Sequence, residues 1–418
     1  MTQHNNNNRI AVIGLGYVGL PLAVEFGKHF YTLGFDTNAT RISELNSGFD
    51  NTEEMSKQEI AQSGQLSLSA DIHQLKSCNV FIVTVPTPID VNKQPDLTPL
   101  IKASEMIAPM LDKGDIVIYE STVYPGVTED VCVPLLAKGS GLVYNEEFFA
   151  GYSPERINPG DKVRRLTNIM KVTSGSTENV ANKVDALYQT IVTAGTHKAP
   201  SIKVAEASKV IENVQRDVNI ALVNELHQIF NRLDIDTKAV IDAAATKWNF
   251  MKLMPGMVGG HCISVDPYYL LHKSENAGFI PDLMRTAREI NNGMPNYFAN
   301  DFLRQLIKRK IDPSSCKILL MGFTFKENCP DIRNTKVYEL YVVLKNLGLD
   351  IKIFDPWIDA EEVKQEFGLT VMTNVHASEQ FDVGFLAVGH EKIMQALANN
   401  QITFTQDFVY DFKSLSPD

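Results

Sequence analysis

The chain has 418 residues, which is too long for one ordinary core, so two or three domains are expected. Its 44% hydrophobic and 21% charged residues are typical of a globular protein. A formal net charge of −11 argues against a general affinity for nucleic acid or anionic membranes, although local cations can still bind an anionic small ligand.

The five cysteines are scattered along the chain without any CxxC pair, at Cys78, Cys132, Cys262, Cys316 and Cys329. This pattern fits a reducing compartment and predicts neither a disulfide framework nor a zinc site. Residues 1–8 are polar and rich in Asn, unlike a signal peptide, and no run approaches 18 consecutive apolar residues. We therefore expect a cytoplasmic protein that does not enter the membrane and holds no metal.

Short apolar runs alternate with helical patterns in the first part of the chain. Helices are predicted at residues 20–29 and 97–111, and strands at residues 10–13, 31–35, 80–85 and 116–119. Strands that alternate with helices predict a parallel, doubly wound sheet.

A glycine-rich turn joins the first predicted strand to the first helix. Its residues are Gly14, Gly16, Tyr17, Val18 and Gly19. Glycines in this context permit a tight turn and a close approach of the backbone to a pyrophosphate at the helix N-terminus. Asp36 ends the next strand, where its carboxylate can accept from ribose hydroxyls and repels a 2′-phosphate, so NAD is predicted over NADP. Arg41 lies close enough to cover the adenine or to soften that repulsion.

Polar stretches follow the later strands of this first sheet. Pro86 and Thr87 come after the strand at residues 80–85, and Ser121 and Thr122 come after the next strand. Ligands bind at the carboxyl edge of such sheets, so these residues are predicted to line the cofactor site.

The pattern changes at residue 201 to one long helix that runs to about residue 233 without Pro or Gly. Helical character continues to about residue 310, with a Pro/Gly-rich interruption at 254–267, and strands resume at 317–322, 350–355 and 382–388. The predicted fold class is α/β, with two Rossmann-like doubly wound domains joined by a long central helix and a helical middle domain. The predicted domains are residues 1–200, 201–310 and 311–418.

A glycine-flanked loop carries one of the thiols. Gly259 and Gly260 precede Cys262 closely, and Asp266 lies four residues beyond it. The glycines allow a ligand to approach the sulfur, and the carboxylate can orient a water molecule or a proton. The other cysteines are expected to be inert, as buried cysteines usually are.

The long helix carries two contrasting stripes. The polar stripe, spaced three, four and three, consists of Glu206, Lys209, Asn213 and Arg216. The opposite, apolar stripe consists of Val204, Ala207, Ile211, Val214 and Val218. A solvated face is the common meaning of a polar stripe, but a lysine with an asparagine one turn later is also a suitable oxyanion clamp if a thiol faces it.

Taken together and in order, these motifs resemble the UDP-glucose/GDP-mannose dehydrogenase family of nucleotide-sugar 6-dehydrogenases. The resemblance rests on the glycine fingerprint and on the stretches at residues 120–126, 152–160, 206–213, 258–266 and 322–333. Two differences from the UDP-glucose dehydrogenases indicate a different branch of this family. Val265 stands where those enzymes usually carry Lys, and the stretch from Pro154 to Pro159 lacks the second acidic residue that they carry after the Pro-Glu pair. With residues 246–250, these features resemble the UDP-N-acetylhexosamine branch, which feeds bacterial capsule and O-antigen synthesis.

The resemblance implies a four-electron oxidation of the C6 alcohol of a UDP-sugar to a carboxylate, using two NAD⁺ in succession. Cys262 would attack the intermediate aldehyde to give a thiohemiacetal that can donate the second hydride, and the resulting thioester would be hydrolysed. Lys209, assisted by Asn213, would stabilise the C6 oxyanion.

Hydrolysis and binding roles are implied in the same way. Asp266 and Thr122 would organise the water, and Glu155 would act as the general base. The implied substrate contacts also include Arg156, Ile157, Arg216, Gly259 and Lys326. Arg333 would bind the cofactor phosphates with its bidentate fork. Family members usually form homodimers through the long central helix.

Three alternatives remain open at this point. One is a UDP-glucose 6-dehydrogenase. Between UDP-N-acetylglucosamine and UDP-N-acetylgalactosamine, no motif indicates which orientation of the epimeric hydroxyl is recognised. Another is a two-electron β-hydroxyacid-type dehydrogenase, which would release one NADH per substrate and would not need Cys262. The third is a nucleotide-sugar-binding regulator that has lost catalysis.

Overall fold

The computed structural model describes residues 8–90, 92–157, 163–375 and 379–414. The chain divides into two compact units. The first unit runs to Glu212 and includes Tyr268–Phe279, and the second comprises Asn213–Pro267 and Ile280–Asp418.

The first unit is built around an eight-stranded sheet. Its strands are β1 (Arg9–Ile13), β2 (Tyr31–Phe35), β3 (Leu66–Ser69), β4 (Val80–Val83), β5 (Ile116–Tyr119), β6 (Phe149–Tyr152), β7 (Lys171–Gly175) and β8 (Thr196–Lys198). The helices that connect them are α1 (Gly19–Phe26), α2 (Ala39–Ser47), α3 (Lys57–Gln62), α4 (Thr98–Ile107), α5 (Val133–Ser140) and α6 (Glu178–Gln189). Shorter helical turns lie at Ile72–Ser77, Ala108–Met110, Thr128–Cys132 and Leu166–Asn168.

The strand order in this sheet is β3-β2-β1-β4-β5-β6-β7-β8, so the order reverses between β1 and β4. The pairs from β3 through β6 are parallel, and β7 pairs antiparallel with β6. The last residues of five strands lie in one register row: Ile13, Phe35, Val83, Tyr119 and Tyr152. The loops that follow these strands therefore leave from the same edge, at the point where such sheets bind ligands.

The long helix α7 (Ile202–Leu233) follows, then α8 (Thr237–Ala244), α9 (Asp266–Asn276) and α10 (Asp282–Lys308). No regular element lies between α8 and α9, at residues 245–265, a segment that overlaps the Pro/Gly-rich interruption predicted at 254–267. Among the described residues, no helix combines the length and the apolar character needed to cross a membrane.

The second unit contains a five-stranded parallel sheet in the order β11-β10-β9-β12-β13. Its elements are β9 (Lys317–Met321), α11 (Lys336–Asn346), β10 (Asp350–Phe354), α12 (Ala360–Phe367), β11 (Val371–Met372), β12 (Val383–Leu386), α13 (Glu391–Ala398) and β13 (Val409–Tyr410). Here the order reverses between β9 and β12, so the long loop after β9 leaves from the reversal point.

The predicted α/β class, with two doubly wound sheets and a helical middle, is confirmed. Strand β1 could be predicted from the sequence because its apolar run is continuous. Ile10 and Val12 belong to one buried cluster, whereas Ala11 and Ile13 belong to another. A strand covered by helices on both faces needs apolar residues at every position rather than at alternate ones.

Candidate active site

The glycine turn between β1 and α1 has the shape of a cradle. Gly14 has φ +92°, a left-handed conformation that favours glycine. A Cβ at Gly19 would collide with the Gly14 carbonyl, so the helix packs directly on the turn. By contrast, a Cβ at Gly16 would meet no heavy atom of the described residues within 4 Å. The turn therefore leaves open space against exposed backbone at a helix N-terminus, which fits the pyrophosphate of NAD.

Asp36 and Arg41 hold this turn in place. The Asp36 carboxylate accepts from the backbone N–H groups of Leu15 (2.9 Å) and Asn38 (2.9 Å). The Arg41 guanidinium is buried and donates to the Leu15 carbonyl (3.0 Å) and to the Asp50 carboxylate (2.7 Å). Arg41 thus stabilises the glycine turn through the carbonyl of Leu15, a role that the sequence did not indicate. Its direct contact with the cofactor stays a prediction.

The loops after β4 and β5 are joined by short side-chain hydrogen bonds. Thr87 Oγ1 donates to the Thr122 carbonyl (2.7 Å), and Ser121 Oγ donates to the Val85 carbonyl (2.6 Å). Thr84 Oγ1 donates to the Gly14 carbonyl (2.7 Å), which connects the glycine turn to the same group. The structure thus brings the predicted cofactor residues of three loops together at one edge of the sheet.

Glu155 follows β6 at this edge and belongs to a buried cluster of charges. One of its carboxylate oxygens accepts from the backbone N–H groups of Arg156 and Ile157, both at 2.5 Å. The other lies 3.3 Å from Nζ of Lys171, which also contacts Glu120 at 2.6 Å. Glu155 is therefore an oriented carboxylate.

The rest of this cluster is buried beneath Glu155. Burial raises the pKa of Glu120, against the attraction of the Lys171 ammonium, and the Tyr188 hydroxyl donates to the same carboxylate. Burial alone would lower the pKa of Lys171, but the two carboxylates outweigh it and the pKa is raised. Lys171 opens strand β7, and no spacing in the sequence indicated its partners.

Arg156 and Ile157 are both half-buried beside Glu155. The Arg156 guanidinium pairs with Glu212 (2.8 Å) and donates to the Met170 carbonyl (2.8 Å). The remaining residues of the quoted motif, 158–160, lie outside the described residues.

The polar stripe of α7 is not a solvated face. Glu206 is fully buried, and its carboxylate accepts from the backbone N–H groups of Gly126 and Thr128 at 2.5 and 2.9 Å. Lys209 is half-buried, and no ion pair or hydrogen bond joins its ammonium to the described residues. The predicted Arg216 is exposed.

In the second unit, Cys262 lies in the turn that leads into α9. Its carbonyl accepts from the N–H groups of Val265 (3.0 Å) and Asp266 (2.8 Å), so a helical turn already begins at the thiol. Asp266 is buried, and its carboxylate accepts from Nδ2 of Asn213 at 2.5 Å. The structure thus brings together three predicted catalytic residues. Cys262 is half-buried, unlike the other four cysteines, and none of the five forms a disulfide.

The loop after β9 carries the predicted binding residues Lys326 and Arg333. Arg333 forms a two-pronged ion pair with Asp331, at 2.9 and 2.5 Å, and this pairing outweighs burial to lower the pKa of Asp331. Lys326 lies with its ammonium 5.6 Å from the centre of the Phe325 ring. A small cavity at this loop is lined by Lys326, Lys336, Lys413 and Gly259, among others. Lys413 pairs with Glu327, which also lines the cavity, at 2.6 Å, and Lys336 pairs with Glu339 at 2.5 Å. Two of the three lysines therefore already have a carboxylate partner, and binding of a diphosphate by Lys326 stays a prediction.

The open space at Gly16 gives a direct test of the cofactor cradle. Gly16→Ala is expected to raise the dissociation constant for NAD at least about tenfold, or ~1.4 kcal/mol, because the methyl group would occupy ligand space. The melting temperature should not change, since the methyl group meets no heavy atom of the described residues within 4 Å. Gly64→Ala is the matched control, because its Cβ also meets no described atom within 4 Å. Equal NAD affinity of the two variants, measured by fluorescence titration, would contradict the placement.

Three family models match this chain over most of its length. They are the NAD binding domain (residues 8–192), the central domain (203–293) and the UDP binding domain (319–417) of the UDP-glucose/GDP-mannose dehydrogenase family. A UDP-N-acetyl-D-glucosamine 6-dehydrogenase of Pseudomonas aeruginosa is 56% identical over 97% of each chain. One from Salmonella typhi is 54% identical over 98% of this chain and 96% of its own.

Two further proteins extend the comparison. Protein CapL of Staphylococcus aureus is 48% identical over 98% of this chain and 96% of its own. The solved structure of a UDP-D-ManNAc dehydrogenase from Pyrococcus horikoshii matches with a TM-score of 0.87 at 30% identity, over 98% of this chain and 96% of that one. The predicted NAD cofactor and dehydrogenase class are confirmed: the chain belongs to the UDP-glucose/GDP-mannose dehydrogenase family.

Proposed function

We propose that this protein oxidises the C6 alcohol of a UDP-N-acetylhexosamine to the carboxylate, in two NAD-dependent steps joined by a covalent intermediate on Cys262. The observation that carries the proposal is the linkage of Cys262, Asp266 and Asn213. The half-buried Cys262 begins a helical turn in which its carbonyl accepts from Asp266 N–H (2.8 Å), and the Asp266 carboxylate accepts from the Asn213 amide (2.5 Å). Overall, one alcohol, one water and two NAD⁺ would give one carboxylate, two NADH and three protons.

The thiol solves a chemical problem of the second oxidation. The glycine turn would hold NAD⁺, which would supply the acceptor for the hydride from C6. The aldehyde produced by the first oxidation has no hydride that departs readily, because its carbonyl carbon carries no oxyanion. Addition of the Cys262 sulfur converts that carbon into a tetrahedral thiohemiacetal, whose oxyanion drives the second departure. The aldehyde also stays attached to the protein.

The tetrahedral oxyanion needs hydrogen-bond donors. We assign Lys209 to this role because no described residue neutralises its ammonium. We assign Asn213 because its amide is bonded to Asp266, four residues beyond Cys262. One N–H of Asn213 is bonded to Asp266, which fixes the amide plane and leaves its second N–H for substrate. Preorganised donors of this kind stabilise charge that develops during the reaction.

Hydrolysis of the thioester requires an ionised base and an oriented water. Glu155 suits the base because its carboxylate is fixed by two backbone N–H groups and by Lys171. Thr122, next to the loops that form the cofactor edge, and Asp266 are the proposed partners of the water. Arg156 and Ile157, which share the Glu155 turn, are proposed substrate contacts, as are Arg216 and Gly259.

The proposed division of labour follows the three predicted domains. Residues 1–200 would bind NAD, residues 201–310 would supply the thiol, and residues 311–418 would bind the UDP-sugar. The match of residues 319–417 to the family's UDP binding domain supports a diphosphate site there. Arg333 is the proposed contact of the cofactor phosphates.

UDP-N-acetylglucosamine is the proposed sugar, since relatives more than 50% identical over nearly the whole chain carry that substrate in their names. The test is a panel of UDP-N-acetylglucosamine, UDP-N-acetylgalactosamine and UDP-glucose, with the products identified by mass spectrometry. The expected result is a uronic acid from an N-acetylated substrate at the highest kcat/KM. A clear preference for UDP-glucose would refute the substrate assignment and leave the reaction type intact.

The apolar stripe of α7 supports a homodimer. Two members of this stripe, Val204 and Ile211, are exposed, and the helix also exposes three apolar side chains beyond it, Leu222, Ile229 and Leu233; each of the five is 43–61% exposed. A second copy of the chain would cover these apolar side chains, which a monomer leaves exposed to water. Light scattering should give twice the 46.6 kDa mass of the chain. The cytoplasmic location and the role in surface polysaccharide synthesis are part of the same proposal.

A further inference from the structure

The loop that carries Cys262 is held at its start by an asparagine of α7. The side-chain amide of Asn224 accepts from Gly256 N–H at 2.8 Å and donates to the Gly256 carbonyl at 3.0 Å. Asn224 is fully buried and also donates to Asn291 at 2.8 Å. Asn291 is bonded in turn to Asp217 of α7 at 2.7 Å. This start of the loop is therefore fixed to the helical core of the second unit.

A second asparagine holds the turn that contains the thiol. Nδ2 of Asn334 donates to the Gly260 carbonyl (2.8 Å) and to Ser264 Oγ (2.9 Å), and Gly260 N–H donates back to the Asn334 carbonyl (3.2 Å). Ser264 Oγ donates to the Gly260 carbonyl at 2.5 Å. These bonds close a ring around the turn from Gly260 to Ser264, and Cys262 is its middle residue.

The glycines before Cys262 fit tightly against the segment that contains Asn334. A Cβ on Gly259 would lie 2.8 Å from the Asn334 carbonyl oxygen, and one on Gly260 would lie 2.8 Å from the Phe325 ring. Gly260 also has φ +79°. The segment with Gly259 and Gly260 therefore cannot move relative to the segment with Asn334 without breaking these close contacts.

We infer that Asn334 is a positioning residue for Cys262, an inference that rests on the proposed nucleophilic role of that thiol. Asn334 directly follows Arg333 and precedes Thr335, the N-cap of α11. It therefore belongs to the loop whose Lys326 lines the lysine cavity. Through Asn334, the loop proposed to bind the diphosphate also fixes the turn that carries the Cys262 sulfur. Binding of the UDP-sugar and the reaction at the thiol would therefore depend on the same rigid segment.

Two substitutions remove the amide while preserving the backbone. Asn334 has φ +52°, a conformation that Asp tolerates and Gly adopts without cost. Asn334→Asp keeps the shape but replaces the donor with an acceptor that faces the Gly260 carbonyl, and Asn334→Gly deletes the side chain. Asn400→Asp is the matched control, since Asn400 also has a left-handed backbone, φ +54°, in the turn after α13.

The expected result is a fall in kcat of about 10- to 100-fold for Asn334→Asp, with KM for the UDP-sugar changed less than about threefold, because a misplaced nucleophile lowers the rate of the chemical step. The rate of Cys262 alkylation by iodoacetamide should also change at least about threefold, measured per folded protein. Asn400→Asp should match the wild type in both measurements. Ser264→Ala, which removes the other member of the ring, should shift both in the same direction as Asn334→Asp.

A merely structural role would lower the melting temperature and leave kcat and alkylation rate per folded molecule unchanged; that result for Asn334→Asp and Asn334→Gly would overturn the inference. The proposed function fails separately. If Cys262→Ser keeps full turnover, the nucleophile assignment is wrong, whereas an inactive Cys262→Ser beside a fully active Asn334→Asp refutes the positioning role alone.

Discussion

Cys262→Ser is expected to abolish carboxylate formation, lowering kcat roughly 10³-fold or more, while NAD binding is retained. A serine hydroxyl has almost the shape of the thiol but is a far weaker nucleophile near neutral pH, where a small fraction of an ordinary thiol is already ionised. The first oxidation does not require the sulfur, so traces of aldehyde should be trapped from this variant with a hydrazide reagent.

Cys316→Ser is the control for this experiment. Cys316 is 3% exposed and packs in the core of the second unit, where burial raises the pKa of its thiol to about 11. A hydroxyl there should cost stability but leave the turnover of the folded enzyme unchanged. Carboxylate production by Cys262→Ser at the control's rate would refute the covalent mechanism.

Lys209→Gln is expected to lower kcat on the order of 10²–10³-fold, the usual effect of losing one donor to a developing oxyanion. KM should change little, because the charge that Lys209 meets forms after the substrate has bound. The effect should appear in both hydride transfers, since both pass through an oxygen with negative charge. Pre-steady-state NADH traces measure the two transfers separately.

Lys203→Gln provides the comparison on the same helix. Lys203 is exposed and lies 3.4 Å from the equally exposed Asp130, a surface pair that contributes little to stability. Its removal should leave kcat within about twofold of the wild type. If the two glutamine variants lose activity to the same small degree, Lys209 has no part in oxyanion stabilisation.

Much of the fold could be predicted because its signals are local. The strand at Ile10, the glycine turn and Asp36 follow one another within a short stretch, and the buried parallel strand needs an unbroken apolar run. The predicted strand at residues 80–85 ends at Val83 in the structure, where its partner strand β1 ends at Ile13 and the glycine turn begins.

The supporting residues of the site could not be predicted in the same way. Arg41 and Glu206 were visible as charges, but only their burial shows that they hold backbone groups of distant loops. Lys171 and Asn334 contact partners 51 and 74 residues away, and no periodicity reports such a separation. The spacing of residues along a helix or strand shows which side chains share a face of that element. It does not show which other parts of the protein contact that face.

The most direct test of the central claim is the number of NADH molecules released per UDP-N-acetylglucosamine when the sugar is limiting and NAD⁺ is in excess. Absorbance at completion gives this number, and a hydrazide trap shows whether any aldehyde leaves the protein. Oxidation through a thioester on Cys262 predicts two NADH per sugar and no trapped aldehyde from the wild-type enzyme. One NADH per sugar, or a stoichiometric yield of trapped aldehyde, would contradict the account.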